Sequence, residues 1–122
     1  LVLTALSSIN TTVKGVIKKY EEVGLLKIRL FRPFPKNSVL DALKEISNDC
    51  SFAIIDRNYP GEIEGALMQE MKRALYGRNY PVYNVYAGLG GRDVPPRTIE
   101  KIIEKYLKET SVLKEVHWID LE

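Results

Sequence analysis

The sequence holds one cysteine, Cys50, and one histidine, His117, in 122 residues. A lone thiol forms no internal disulfide and cannot supply the thiolate set of an iron–sulfur cluster. A lone imidazole excludes a His-based metal site or a Ser-His-Asp triad built from this chain alone. Charge of one sign is also scarce in excess: 18 Lys and Arg stand against 16 Asp and Glu. The basic residues are not gathered into a block, so the electrostatic footprint of a nucleic-acid binder is missing. No apolar run reaches the ~20 residues that span a bilayer. No signal-peptide pattern opens the chain, which makes a cytoplasmic location the expectation. An initiator methionine is missing too, and Leu1-Val-Leu-Thr-Ala-Leu6 already reads as an apolar strand. Residues 1–122 are therefore expected to form a single domain that is a fragment of a longer chain.

What is present is an alternation of short apolar runs and amphipathic helices. Val2 to Leu6 is the first run. Ser7, Ser8 and Asn10 can cap a helix whose apolar stripe is Val13, Val16, Ile17 and Tyr20, with Gly24 expected to close it. Leu25 to Phe31 is the second run, stopped by Arg32-Pro-Phe-Pro35. Ser38 and Asp41 form a capping-box pattern ahead of a stripe of Val39, Leu40, Leu43 and Ile46. Ser51 to Asp56 is the third run. Glu62 and Glu64 suit the first turn of a helix lined by Ile63, Ala66, Leu67, Met71, Ala74 and Leu75, with Gly77 as its cap. Val82 to Ala87 is the fourth run. Ile99, Ile102, Ile103, Tyr106 and Leu107 mark the last helix, and Val116 to Ile119 forms a further strand or a docked extension. This order predicts an α/β fold, three-layer α/β/α, with a mainly parallel sheet of four to five strands and right-handed crossovers.

The fourth run leads into Gly88-Leu-Gly-Gly-Arg-Asp93. Gly88 and Gly90 fit the start of a Gly-x-Gly-x-x-Gly fingerprint, but Asp93 holds the third glycine position and Gly91 falls between. The third glycine allows close helix–strand packing, so its loss favours a structural turn over a nucleotide site. Gly88, Gly90 and Gly91 stay weak candidates for a small anionic ligand, which a free-standing α/β module would bind at this loop. Asp56-Arg57-Asn58 ends the third strand on the same sheet edge. It can hold a small polar ligand or brace neighbouring loops. Tyr83 and Tyr86 point to opposite faces of a strand and cannot make one stacking platform for bases. Cys50 reads as a small buried hydrophobe and His117 as surface packing.

Three segments carry a resemblance: Leu25-Leu-Lys-Ile-Arg-Leu-Phe-Arg-Pro-Phe-Pro35, Ile55-Asp-Arg-Asn58 and Ala87-Gly-Leu-Gly-Gly-Arg-Asp93. In this order and spacing the chain resembles the 2-oxoacid:ferredoxin oxidoreductases, pyruvate:ferredoxin oxidoreductase (pyruvate synthase) above all. The resemblance covers nearly the whole chain, and it is to the transketolase C-terminal-like domain at the end of the α chain. It implies a part in thiamine diphosphate-dependent oxidative decarboxylation. Pyruvate and coenzyme A become acetyl-CoA and carbon dioxide, and electrons pass through iron–sulfur clusters to ferredoxin. It also implies that thiamine diphosphate, Mg2+ and the clusters sit elsewhere in the parent enzyme, with no catalytic residue and no cofactor in this domain. The domain's role is then structural: it meets other domains and subunits, through interface candidates Arg32, Asp56, Arg57, Asn58, Arg92 and Asp93. The family's sheet carries an antiparallel strand that would precede Leu1 and lie beside Leu25 to Phe31. The second strand is therefore expected at an edge here, where Lys27 and Arg29 discourage edge-to-edge pairing. Pro95 stands where the family usually has threonine as a helix cap, which leaves Asp93 to cap instead.

Overall fold

A computed structural model describes residues 1–61, 63–108 and 117–119 of the chain. The elements in chain order are β1 (Val2–Leu6), α1 (Ile9–Val16) continued by a 3-10 turn (Ile17–Lys19), β2 (Gly24–Ile28), α2 (Lys36–Leu43) and β3 (Phe52–Asp56). Then come α3 (Ala66–Ala74), β4 (Val82–Tyr86), a 3-10 turn (Leu89–Gly91), α4 (Pro96–Tyr106) and β5 (His117–Trp118). The strands form one sheet in the order β2-β1-β3-β4-β5, and every pairing is parallel.

Strand parity sorts the core into two layers. Leu3, Ala5, Ala53, Ile55, Tyr83 and Val85 face α1 and α4, where they meet Ile9, Val13, Ile99, Ile102, Ile103 and Tyr106. Val2, Ile28, Phe52 and Ile54 face the other way, onto Val39 and Leu43 of α2 and Leu67, Met68 and Met71 of α3. Every residue of β3 is buried, as a central strand covered on both faces requires. The tyrosines of β4 part as their spacing demands. Tyr83 stacks on Tyr106 with centroids 4.8 Å apart, and Tyr86 meets Tyr59 edge-on at 5.3 Å. β2 pairs only with β1 among the described residues and forms an edge, with Lys27 exposed on it.

Several boundaries differ from the sequence reading. Gly24 does not close the first helix but opens β2, because the helix tightens into the 3-10 turn and ends at Lys19. β2 stops at Ile28, so Phe31 leaves the sheet and packs edge-on to Phe34 at 6.4 Å. Ser38 is not an N-cap: Pro35 starts α2, its carbonyl accepting the Val39 N–H at 3.0 Å, and Ser38 lies inside the first turn. Ile63 and Glu64 precede α3 instead of belonging to it, and Ile63 is exposed. Glu64 pairs with Lys72. Glu62 and Val116, like the side chain of His117, lie outside the described residues. Asp93 does not cap α4; that helix starts at Pro96 with no side-chain cap, and Pro95 holds its first turn through the Thr98 N–H at 2.9 Å. Cys50 is half-buried against the second core layer, and burial pushes its thiol pKa up, away from reactivity.

Candidate functional site

In a sheet of order 2-1-3-4-5 the winding direction reverses between β1 and β3, and ligands of such folds bind outside the carboxyl ends at that point. Three segments converge there: Ser7-Ser8 after β1, Asp56-Arg57-Asn58 at the end of β3, and Gly88 to Asp93 after β4.

Asp56 is 5% exposed, so it is no exposed-loop contact. Its carboxylate instead caps a helix from another element. Oδ1 accepts the Leu67 N–H at 2.9 Å, and Oδ2 accepts the Met68 N–H at 3.2 Å and the Asn84 Nδ2 at 3.2 Å. Asn84 Oδ1 in turn accepts the Gly65 N–H at 3.0 Å. The first turn of α3, which carries no acidic side chain, thereby receives its negative charge from β3. Burial holds the Asp56 carboxyl above its ordinary pKa, against the Leu67, Met68 and Asn84 hydrogen bonds that favour the anion. The Tyr86 phenol is also pushed up, first by burial and then by the Asp56 charge. Asn84 and Gly65 were missed in the sequence. The available signal was a lone amide inside Val82-Tyr-Asn-Val-Tyr86, a buried strand that must satisfy it.

Arg57 reaches across the edge. Its Nε donates to the Gly88 carbonyl at 3.4 Å, Nη1 to Ser8 Oγ at 3.4 Å and Nη2 to the Arg92 carbonyl at 3.1 Å. The glycine loop thus turns carbonyl oxygens toward a guanidinium, the opposite polarity from an N–H cradle for phosphate. Gly88, Gly90 and Gly91 all hold left-handed backbone, with φ of 71°, 64° and 78°. Only at Gly88 is space also closed: a Cβ there would lie 2.6 Å from Val94 Cγ2 and 3.0 Å from the Arg92 carbonyl. Gly88→Ala is expected to cost about 2–4 kcal/mol in urea unfolding, strain and overpacking together. Gly90→Ala, which meets open space, is expected to cost about 1–2 kcal/mol. Equal losses would show that packing around Gly88 contributes nothing.

The other candidates scatter. Arg32 pairs with Glu70 of α3 at 3.0 Å and lies over the Phe31 ring at 4.1 Å, with its side chain still largely exposed. Asn58 and Asp93 are exposed. Asn58 borders a cleft of about 360 Å3 between Leu6, Phe31 and Arg57, and Asp93 borders one of similar volume beside Ser8 and Thr12. Among the described residues no three His, Cys, Asp or Glu side chains group as metal ligands, and no helix is long and apolar enough to cross a membrane.

These features define a doubly wound α/β domain in which Asp56 and Arg57, at the carboxyl end of β3, are engaged by its own backbone and side chains. The family model for pyruvate:ferredoxin oxidoreductase core domain II matches residues 1–99, and the chain belongs to that family. It is 39% identical to pyruvate synthase subunit PorA of Methanosarcina barkeri over 131 residues, covering 100% of this chain and 32% of that protein. It is 44% identical to the PorA subunit of Methanocaldococcus jannaschii over 107 residues, 84% of this chain and 26% of that one. Ketoisovalerate oxidoreductase subunit VorA of Pyrococcus furiosus is 35% identical over 130 residues, 99% of this chain and 32% of its own length. The chain spans about a third of the length of the curated relatives it matches.

Proposed function

We propose that residues 1–122 act as a structural and assembly domain of a cytoplasmic, thiamine diphosphate-dependent 2-oxoacid:ferredoxin oxidoreductase. The parent enzyme converts pyruvate and coenzyme A to acetyl-CoA and carbon dioxide, with electrons leaving to ferredoxin. The observation that carries this reading is the carboxyl edge. Where related sheets bind ligands, Asp56 is consumed as a helix cap and Arg57 as a loop brace. One cysteine does not supply the thiolate set of an iron–sulfur cluster. On this reading the clusters, thiamine diphosphate and its Mg2+ are held by other domains and subunits.

The test separates bracing from assembly. Asn58→Arg and Asp93→Arg alter exposed side chains and are expected to change the stability of the chain by no more than about 0.5 kcal/mol. In the native full-length chain, co-expressed with its other subunits, the same changes are expected to reduce recovery of the complex in size-exclusion chromatography. Arg57→Ala is expected to lower both, with a stability loss of about 1–2 kcal/mol from its three hydrogen bonds. Full recovery of the complex with both Asn58→Arg and Asp93→Arg would remove this edge from the assembly surface.

A further inference from the structure

Asn10 is 2% exposed, and neither polar atom of its side chain meets a hydrogen-bond partner. A buried amide left this way costs about 1–3 kcal/mol, and an apolar residue would serve α1 better if packing were the only demand. Asn10 lines a cleft of about 450 Å3 at the carboxyl ends of β1 and β2, together with Ser7, Lys27 and Arg29. The register pairs Ala5 with Lys27, so Lys27 leaves β2 on the face that α1 covers, beside a residue with almost no side chain. Arg29 follows two positions on. Neither cation forms an ion pair among the described residues. α1 directs the positive end of its dipole to the same place, with no side-chain cap and no acidic residue in its first turn. Ser7, just before it, holds a left-handed φ of 52°, a cost that folds usually keep for functional positions.

We propose that this cleft binds a small oxyanion, a phosphate or carboxylate, on a compound that carries a hydroxyl group next to it. Lys27, Arg29 and the amino end of α1 hold the anion. Both amide atoms of Asn10 are closed to solvent, and a turn of this side chain toward the cleft lets Nδ2 donate to an anion oxygen and Oδ1 accept from the neighbouring hydroxyl, which satisfies both with one ligand. The site lies on the β2 side of β1, away from the Arg57 brace, and it does not depend on the assembly reading.

Calorimetric titration of the native full-length chain with sn-glycerol 3-phosphate and, separately, glycerate tests this at constant ionic strength. Saturable binding of at least one is expected, and the stronger of the two identifies the anion as phosphate or carboxylate. Lys27→Ala with Arg29→Ala is expected to weaken it at least about tenfold, the loss of a charge-assisted contact. Asn10→Leu is expected to abolish binding without lowering the melting temperature, since removal of the orphan amide, with the same number of side-chain heavy atoms, offsets the bulk of the added methyl groups. The Lys27 and Arg29 changes are on the surface and test the site even if Asn10→Leu disturbs folding. No saturable binding of either compound, or binding that survives the loss of both cations, overturns the proposal.

Discussion

Asp56→Ala is expected to destabilise the chain by about 3–5 kcal/mol, seen as a fall of more than about 10 °C in Tm. The size follows from what the carboxylate leaves behind. Two helix N–H groups, of Leu67 and Met68, and the Asn84 amide lose their acceptor inside a region that water does not reach. Each orphaned donor costs about 1–3 kcal/mol, and these bonds are charge-assisted. Asp56→Asn is expected to lose less, because one oxygen still accepts. A pH dependence accompanies it. Burial holds the Asp56 carboxyl above the ordinary value of 3.8, so the folded state binds this proton more tightly than the unfolded chain. The stability that this proton contributes is fully present below the unfolded pKa and is lost as pH rises through the folded one. The stability gap between the native sequence and Asp56→Asn is therefore expected to be wider near about pH 4 than at about pH 7. A gap that narrows on acidification would show that the N–H groups, not burial, dominate the carboxyl.

The same circuit explains what could be read in the sequence and what could not. Apolar periodicity identified β1 to β4 and the stripe of α4, because burial on a sheet face or helix face repeats locally. The resemblance of three short segments led to the family that residues 1–99 match. Asp56 read as an interface candidate because a charge at a strand end is ordinarily solvated. Its true role depends on α3 arriving beside it 11 positions later, a contact no local pattern encodes. Arg57 was legible in part: bracing of neighbouring loops was one of its two readings and is what the structure shows, but its acceptors lie 31, 35 and 49 residues away and no local pattern named them. Ser38 failed as a cap for a local reason. Pro35 fixes its own φ at −82° and starts α2 three residues earlier than the capping-box pattern suggests. Asn10 looked like one cap among several, and only its burial without partners separates it from Ser7 and Ser8.

Gly65→Ala is expected to cost about 2–4 kcal/mol although its backbone is unremarkable for an L-residue, with φ −56° and ψ 152°. The reason is space. An added Cβ would overlap the Asp56 carboxylate and lie 2.7 Å from the Asp56 Cβ. Asp56 is the side chain that caps α3, so it cannot move aside without releasing the Leu67 and Met68 N–H groups. The backbone of Gly65 cannot retreat freely either, because its N–H is held by Asn84 at 3.0 Å. This makes the two substitutions non-additive. Asp56→Ala removes the two carboxylate atoms that the new Cβ would overlap, but the Cβ of residue 56, 2.7 Å away, remains. The double variant is therefore expected to be less unstable than the sum of the two losses but more unstable than Asp56→Ala alone, with a coupling of about 1–2 kcal/mol in a double-mutant cycle by urea unfolding. Simple addition of the two losses would mean that Gly65 is needed for reasons other than the approach of Asp56. Coupling of the expected size would establish that the close approach of Asp56, which caps α3, is what requires glycine at position 65.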